Sequence, residues 1–355
     1  MSLSQSPLTK QTVVFKSWAI MLMCLSFFSV SNSQASEFRI AAVGDIMLAG
    51  TAEPELKKFG YDYAFAATKH LLEADVVFGN LEAPITDHDE MYIEKKYRFR
   101  QSPKHTQQAL KNAGFNIVSL ANNHTLDYGP TGMEDTQLAL DQVGIKYVGA
   151  GDNMYQARWP DVVTTSQGVR VAFLAYSLTF PEEFWADEDA PGTAFARYEH
   201  IETDIRKAKI IADIVCVSFH WGRESTTKLR PYQSKLGKLA IDAGAAAVIG
   251  HHPHILQGVE RYKDGIILYS LGNYTFGSFS RRALFSAVAH LYFKEKQLAR
   301  LELHPIYVSN IDVIFQPQPL SGDVADGVIS EIQYLSAQQN TVIENQNGVA
   351  VYRFD

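Results

Sequence analysis

The chain has 355 residues, a formal net charge of −7 and an apolar fraction of 46 %, enough to build one large α/β domain or two modest ones. A surface this acidic argues against general binding to nucleic acid or to anionic membranes. With only Cys24 and Cys216 available, stability must come from packing or metal rather than from a disulfide framework.

In chain order, Lys10 and Lys16 come first, followed by the apolar stretch SWAIMLMCLSFFSV and the polar segment SNSQAS. The stretch is short for a membrane span, and the pattern predicts a secretory signal over residues 1–35, or else an uncleaved anchor. Ser33 and Ala35 suit the small-residue positions of a cleavage site, whereas Cys24, between Met23 and Leu25, does not suit lipid attachment. The protein is therefore expected to be exported, to the periplasm or the cell surface. Cleavage would remove two lysines and Cys24 but no carboxylate, leaving a more acidic chain with Cys216 as its lone thiol.

From Glu37 the pattern alternates strand and helix, the signature of a layered α/β domain. FRIAAVGDIML, ADVVFGNLE, FNIVSLANNH, VRVAFLAYSL, DIVCVSFHWG and AAAVIGHHPH are short, apolar and rich in β-branched or small residues, as strands buried on both faces are. PKHTQQALKNAG, GMEDTQLALDQVG and PYQSKLGKLAIDAG carry helix start and stop signals between them. After Gln257 two hairpins are expected, turning near Asp264-Gly265 and between Lys294 and Gln297. Residues 36–315 are read as one domain. Residues 316–355 are read as an extension packed on it, with a helix around Asp326 to Leu335 and a last strand, GVAVYRF.

Polar residues recur at one end of these buried strands. Asp45 closes the first, Asn80 and Glu82 the second, and Asn122, Asn123 and His124 the third; His220 closes a later one, and His251, His252 and His254 the last. All lie at C-terminal strand ends, where open α/β sheets place their ligand crevices. Carboxylate, amide oxygen and imidazole are donors that zinc, manganese or iron accept. His252 and His254 would face one side of an extended segment, since side chains there repeat every two residues. The adjacent glycines Gly44, Gly79, Gly222 and Gly250 read as turn residues.

The motifs AAVGDIMLAG, VVFGNLEAPIT, SLANNHTLDYG, VSFHWGRE, VIGHHPHILQGVE and YSLGNYTF resemble, in order and spacing, those of the CapA family. That family is associated with bacterial capsule and poly-γ-glutamate synthesis, and the resemblance spans Phe38 to Pro305. Through it the chain is more distantly similar to the calcineurin-like metallophosphoesterases. The resemblance implies a metallophosphatase-like four-layer sandwich of two mixed β-sheets flanked by helices, holding one or two divalent ions. Asp45, Asn123, His220, His252 and His254 would be ligands, and His124 the non-liganding histidine that acts as general acid. Met47 stands where the phosphoesterases have a first histidine ligand, and Asn80 where they have a bridging aspartate. Both departures are usual for CapA, and both weaken a two-metal reading, with Glu82 or Glu224 available to supply the missing charge. His251 reads as a rim histidine or one that supports the ligands.

Lys95, Lys96, Arg98 and Arg100, together with Arg281 and Arg282, form local basic clusters suited to a polyanion such as polyglutamate, or to a phosphate; Asn273 reads as a substrate-facing amide or a turn residue. Three functions follow from these readings. The chain is a metal-dependent hydrolase or transferase, a non-catalytic polymer-binding or export component working with membrane capsule-synthesis proteins, or a domain whose histidines are structural.

Overall fold

The computed structural model describes residues 1–2 and 37–354, so the expected signal or anchor segment lies, apart from Met1 and Ser2, outside the described residues. Among the described residues, no helix is long and apolar enough to cross a membrane.

β1 (Glu37–Met47) alternates between two apolar clusters: Phe38, Ile40 and Ala42 enter one, Ala41 and Val43 the other. Burial of both faces is why the strand reads as a continuous apolar run. β2 (Val76–Leu81), β3 (Ile117–Ser119) and β4 (Lys146–Val148) follow in parallel on one side of it. After the short β5 (Ala150–Gly151), β6 (Asp161–Thr164) and β7 (Arg170–Ser177) begin a second sheet, while β8 (Gly192–Thr193) pairs back with β5. β9 (Ile214–His220), β10 (Ala247–His251), β11 (Val259–Tyr262) and β12 (Gly265–Leu268) complete it in the order β11-β12-β10-β9-β7-β6. It is parallel in the middle and antiparallel at both edges.

The chain then returns to the first sheet. β13 (Asn273–Phe276) runs parallel to β1 with Asn273 opposite Asp45. β14 (Phe285–Lys294) and β15 (Gln297–Tyr307) form a long hairpin against the other edge of β1. β16 (Gln318–Pro319) pairs with β15, and β17 (Glu344–Gln346) and β18 (Val349–Arg353) extend the sheet beyond it.

The two sheets pack face to face, with Phe78 and Phe173 stacked at 5.0 Å. Leu110, Met133 and Leu140, from helices Thr106–Ala113 and Gly129–Val143, cover the outer face of the first sheet. Ile201, Ile205, Leu236 and Ala240, from helices Tyr198–Ile211 and Pro231–Ala243, cover that of the second. The order helix, sheet, sheet, helix is the sandwich of two mixed sheets implied by the resemblance. Residues 316–354 contribute to both the first sheet and the core. β18 is hydrogen-bonded to β15, and Val328, Ile329 and Ile332 of helix Gly322–Ala337 join the cluster between the sheets.

The glycines at three strand ends also differ from expectation. Gly44, Gly79 and Gly250 lie inside β1, β2 and β10 rather than in turns. A Cβ on Gly44 would stand 1.8 Å from the Gly272 carbonyl oxygen, and one on Gly250 2.0 Å from that of Tyr269. The segment linking β12 to β13 crosses both strand ends at backbone contact: Asp45 N–H donates to Gly272 O at 3.0 Å, and Leu271 N–H to Gly250 O at 3.4 Å. Only residues without a side chain admit that crossing.

Gly250→Ala is expected to destabilise the fold by about 1–3 kcal/mol or more, seen as a melting temperature lowered by several degrees; an unchanged value would mean that the crossing relaxes freely. Cys216 is fully buried and its thiol pushed up to about 12 by burial, so peptide mapping after treatment with iodoacetamide should find it unmodified until the protein unfolds.

Candidate metal centre

The parallel strands of both sheets end at the same rim. β1 slips register on either side of Asp45, an irregularity of the kind that re-aims a side chain at a strand end. Asp45 is fully buried. Its Oδ1 accepts from Asn80 Nδ2 at 2.9 Å and lies 3.3 Å from His251 Nδ1. Its Oδ2 lies 3.1 Å from His254 Nδ1 and accepts from the His252 N–H at 3.3 Å. Glu82, also fully buried, takes Asn80 Nδ2 on Oε2 at 3.2 Å. Its Oε1 has no hydrogen-bond partner among the described residues and sits 3.7 Å from both His220 Nε2 and His254 Nε2. His220 Nε2 approaches Asn123 Oδ1 at 2.7 Å and His252 Nδ1 at 3.1 Å.

His252 and His254 do converge, but not by the alternation of an extended strand. β10 ends at His251, and both following histidines adopt positive φ, 92° and 58°. A left-handed turn brings both rings, 5.9 Å apart, to the rim. Non-glycine residues in this region cost of order 1–3 kcal/mol and persist where surrounding contacts over-determine them. Here the His252 N–H bond to Asp45 and the contacts of His254 to Asp45 and Asn273 do so.

Burial would raise the Asp45 carboxyl, but the imidazoles of His251 and His254 hold it well below the usual carboxylate range. Burial first, and then the charge of Asp45, pushes Glu82 well above its usual value. His254, though burial opposes its charge, is raised to about 10 by Glu82 and Asp45. Burial, reinforced by the neighbouring imidazoles, lowers His252 to about 3 and His220 well below the usual range. Two carboxylates that no lysine or arginine among the described residues contacts, two neutral imidazoles and an orphaned Glu82 oxygen are what a divalent cation would complete. Ligand atoms of Asp45, Glu82 and His254, of Glu82, His220 and His252, and of Glu224, His252 and His254 form groups lying within 4.8 Å. The donor set fits a metal. Asn80 presents its amide nitrogen to both carboxylates and its oxygen to Asn122 Nδ2, 3.2 Å away.

Beside this cluster His124 is built for a different task. Its Nδ1 donates to Asp127 Oδ2 at 2.7 Å, which fixes the tautomer and leaves Nε2 without a hydrogen bond among the described residues. Asp127, itself buried, also accepts from the Phe99 N–H at 2.9 Å and from Lys95 Nζ at 2.6 Å. Burial lowers His124 and Lys95 alike, with Asp127 opposing in both. Lys95 thus leaves the basic cluster in which the sequence set it: it points inward, to Asp127 and to the Asn123 carbonyl. Asp127 was not singled out in the sequence, although the spacing of three residues in HTLD was a usable signal.

Of the expected substrate contacts, Asn273 is within the cluster, its Oδ1 accepting from His254 Nδ1 at 2.9 Å, and Glu224 stands at the exposed edge. No hydrogen bond or ion pair joins Arg98, Arg100 or Arg281 to the cluster among the described residues. Arg100 instead donates to the carbonyls of Asp87 and His88 at 3.3 and 2.7 Å and lies over the Tyr128 ring. Arg282 reaches the loop carrying Glu224, at the Ser225 carbonyl, 3.4 Å away.

Residues 39–278 match the family described as bacterial capsule synthesis protein PGA_cap. The capsule biosynthesis protein CapA of Bacillus anthracis is 35 % identical over 286 residues, 79 % of this chain and 69 % of that protein. The PGA biosynthesis protein CapA of Bacillus subtilis (strain 168) is 34 % identical, over 74 % of this chain and 70 % of that protein. Among solved structures, the calcineurin-like phosphoesterase YfkN of Bacillus subtilis aligns over 73 % of this chain and 85 % of its own, with 15 % identity and a TM-score of 0.42.

Glu82→Gln removes one buried charge and keeps the shape. The metal-free variant is expected to melt no lower than the wild type. Added manganese or zinc should raise the melting temperature of the wild type and raise that of the variant far less; equal shifts would remove Glu82 from the ligand set.

Proposed function

The chain belongs to the bacterial capsule synthesis protein family, and on that premise we propose that it is an exported, metal-dependent hydrolase acting on a phosphoester or on polyglutamate during capsule polymer biosynthesis. The observation that carries the reading is His124, a histidine beside the donor cluster that is tied to Asp127 and leaves one ring nitrogen without a hydrogen bond among the described residues. A purely metal-binding or polymer-binding site has no need of such a group.

Asp45, Glu82, His220, His252 and His254 would hold the ion, with Asn123 orienting His220. A divalent ion bound there supplies Lewis-acid polarisation of a phosphoryl or carbonyl oxygen. His124 Nε2, unprotonated at rest, takes up the proton that the attacking water gives up and passes it to the departing group, and the Asp127 carboxylate offsets the charge the imidazole carries in between. Lys95 neutralises Asp127 and locks its position; burial, and to a smaller degree the Lys95 charge, favour the neutral resting imidazole. Asn273 aligns His254, and the exposed Glu224 and Arg282 border the approach. The N-terminal pattern around Lys10 and Lys16 supports export, with membrane capsule-synthesis proteins as partners.

One observation favours the non-catalytic alternative, a polymer-binding or export component. Asn80, a neutral side chain donating to both carboxylates, occupies the position where an anionic bridge between two ions would be expected. A single ion then has less with which to drive chemistry.

The test is turnover of bis-p-nitrophenyl phosphate and of poly-γ-glutamate with added manganese, iron or zinc. His124→Ala should lower the rate roughly 100- to 10,000-fold while elemental analysis finds the metal content unchanged. Lys95→Met should lower it less. Full activity in His124→Ala, or no turnover by a metal-loaded wild type that still supports capsule formation in cells, would establish the non-catalytic role.

A further inference from the structure

A second group of metal-type donors lies away from that rim, on the outer face of the first sheet. In the β14–β15 hairpin His290 stands opposite Glu302, and His304 follows two residues on. Directly paired residues, and residues two apart on a strand, project to the same face, so all three side chains meet there. On β1 the residue opposite His290 is Ala41, well before the strand end that carries Asp45.

His290 is 3 % exposed. Its Nε2–H donates to the Leu71 carbonyl at 2.7 Å, leaving Nδ1 as a bare lone pair with no partner among the described residues. An unsatisfied buried polar atom costs about 1–3 kcal/mol and calls for an explanation. His304 Nε2 likewise has no hydrogen bond among the described residues and lies 3.4 Å from Glu302 Oε2. That is close to the edge of a tetrahedral ligand set, about 3.3 Å for bonds of about 2.0–2.1 Å. The two imidazole rings stand 4.3 Å apart and tilted, not stacked. Ligand atoms of the three residues all fall within 4.8 Å of one another.

The surroundings are those of held ligands. A ligating histidine characteristically donates its second ring N–H to a carbonyl or carboxylate, as His290 does to Leu71. Glu302 is fixed by the Tyr292 hydroxyl at 3.0 Å and by Arg300 Nε at 3.0 Å. Burial and the neighbouring His304 lower His290 to about 3, and burial lowers His304 too. The charged groups nearby are Arg39, Arg300, Glu302, Glu37 and the exposed His70. The two guanidiniums oppose a cation, but Arg300 is engaged by Glu302 and Glu37, and Arg39 is turned to the Glu73 carbonyl.

We propose that His290, Glu302 and His304 form a second metal site, taking zinc or a similar borderline divalent cation and pinning the β14–β15 hairpin under the Lys69–Leu72 turn. Two imidazoles and one carboxylate are a zinc donor set. Glu302 and His304 are partly exposed, which leaves the remaining coordination open to solvent or to His70. The site does not depend on the function proposed above.

The test uses the full chain, incubated with zinc and desalted, with zinc counted by elemental mass spectrometry. His304→Ala and, separately, Glu302→Gln alter half-buried positions, and circular dichroism should show them folded. Each should bind one equivalent fewer than the wild type. A chain with His252→Ala and His254→Ala should retain one equivalent and lose it when His304→Ala is added. An unchanged count in both single variants overturns the proposal, as does a double variant that folds and holds no zinc. If the double variant does not fold, the single-variant counts decide alone. With cobalt in place of zinc, visible absorption lost in His304→Ala would report the same site, and absorption unaffected by it would count against it.

Discussion

Two carboxylates, Asp45 and Glu82, are completely removed from water at one end of the sandwich with no lysine or arginine among the described residues in contact with them. Burying one unpaired carboxylate is costly and burying two side by side more so. The surrounding architecture answers that constraint. Asn80 donates to both, His254 lies between them, and two neighbouring strands of the second sheet, β9 and β10, bring His220 and His251 to the same point. Parallel strands make the convergence available, because all of them reach the rim at the same C-terminal edge.

The constraint also accounts for the strained turn after β10. An extended continuation would carry His252 and His254 onward along the strand direction. Positive φ at both instead folds them back over Asp45, and the contacts at the carboxylate offset the local cost. The crossing segment at Gly44 and Gly250 completes the floor, since it delivers Asn273 to His254 and closes the rim against the core.

Much of this was legible in the sequence because burial on both faces of a strand leaves a clean apolar run that stops abruptly at polar residues. Asp45, Asn80, Glu82, Asn123, His220 and the two final histidines stood out for that reason. The resemblance in the motifs supplied the sandwich, which the runs alone left as a layered α/β domain. Less legible were features decided by backbone conformation or by distant partners. The left-handed turn at His252 and His254 has no glycine to announce it. Lys95 looked like a surface cation among Lys96, Arg98 and Arg100 until the loop carrying it folded over Asp127. His290, Glu302 and His304 sit in a hairpin whose apolar neighbours, Leu291, Leu301 and Leu303, dominated its pattern. Only the register of β14 on β15 shows that they share a face.

The placement of β1 has a consequence for how the chain reaches this state. Its partner on one edge, β2, follows within a few tens of residues in the sequence, but on the other edge the partners are β13 and β14, which emerge only after the whole second sheet. Until then β1 presents a long, flat, apolar edge of unpaired amides and carbonyls, the kind of surface that invites pairing with another chain. Such long-range closure is slow, because the entropy of a large loop must be lost before the contacts that reward it form. The nascent first half of the protein is therefore its most aggregation-prone state, and the arrival of the β14–β15 hairpin is the event that ends it.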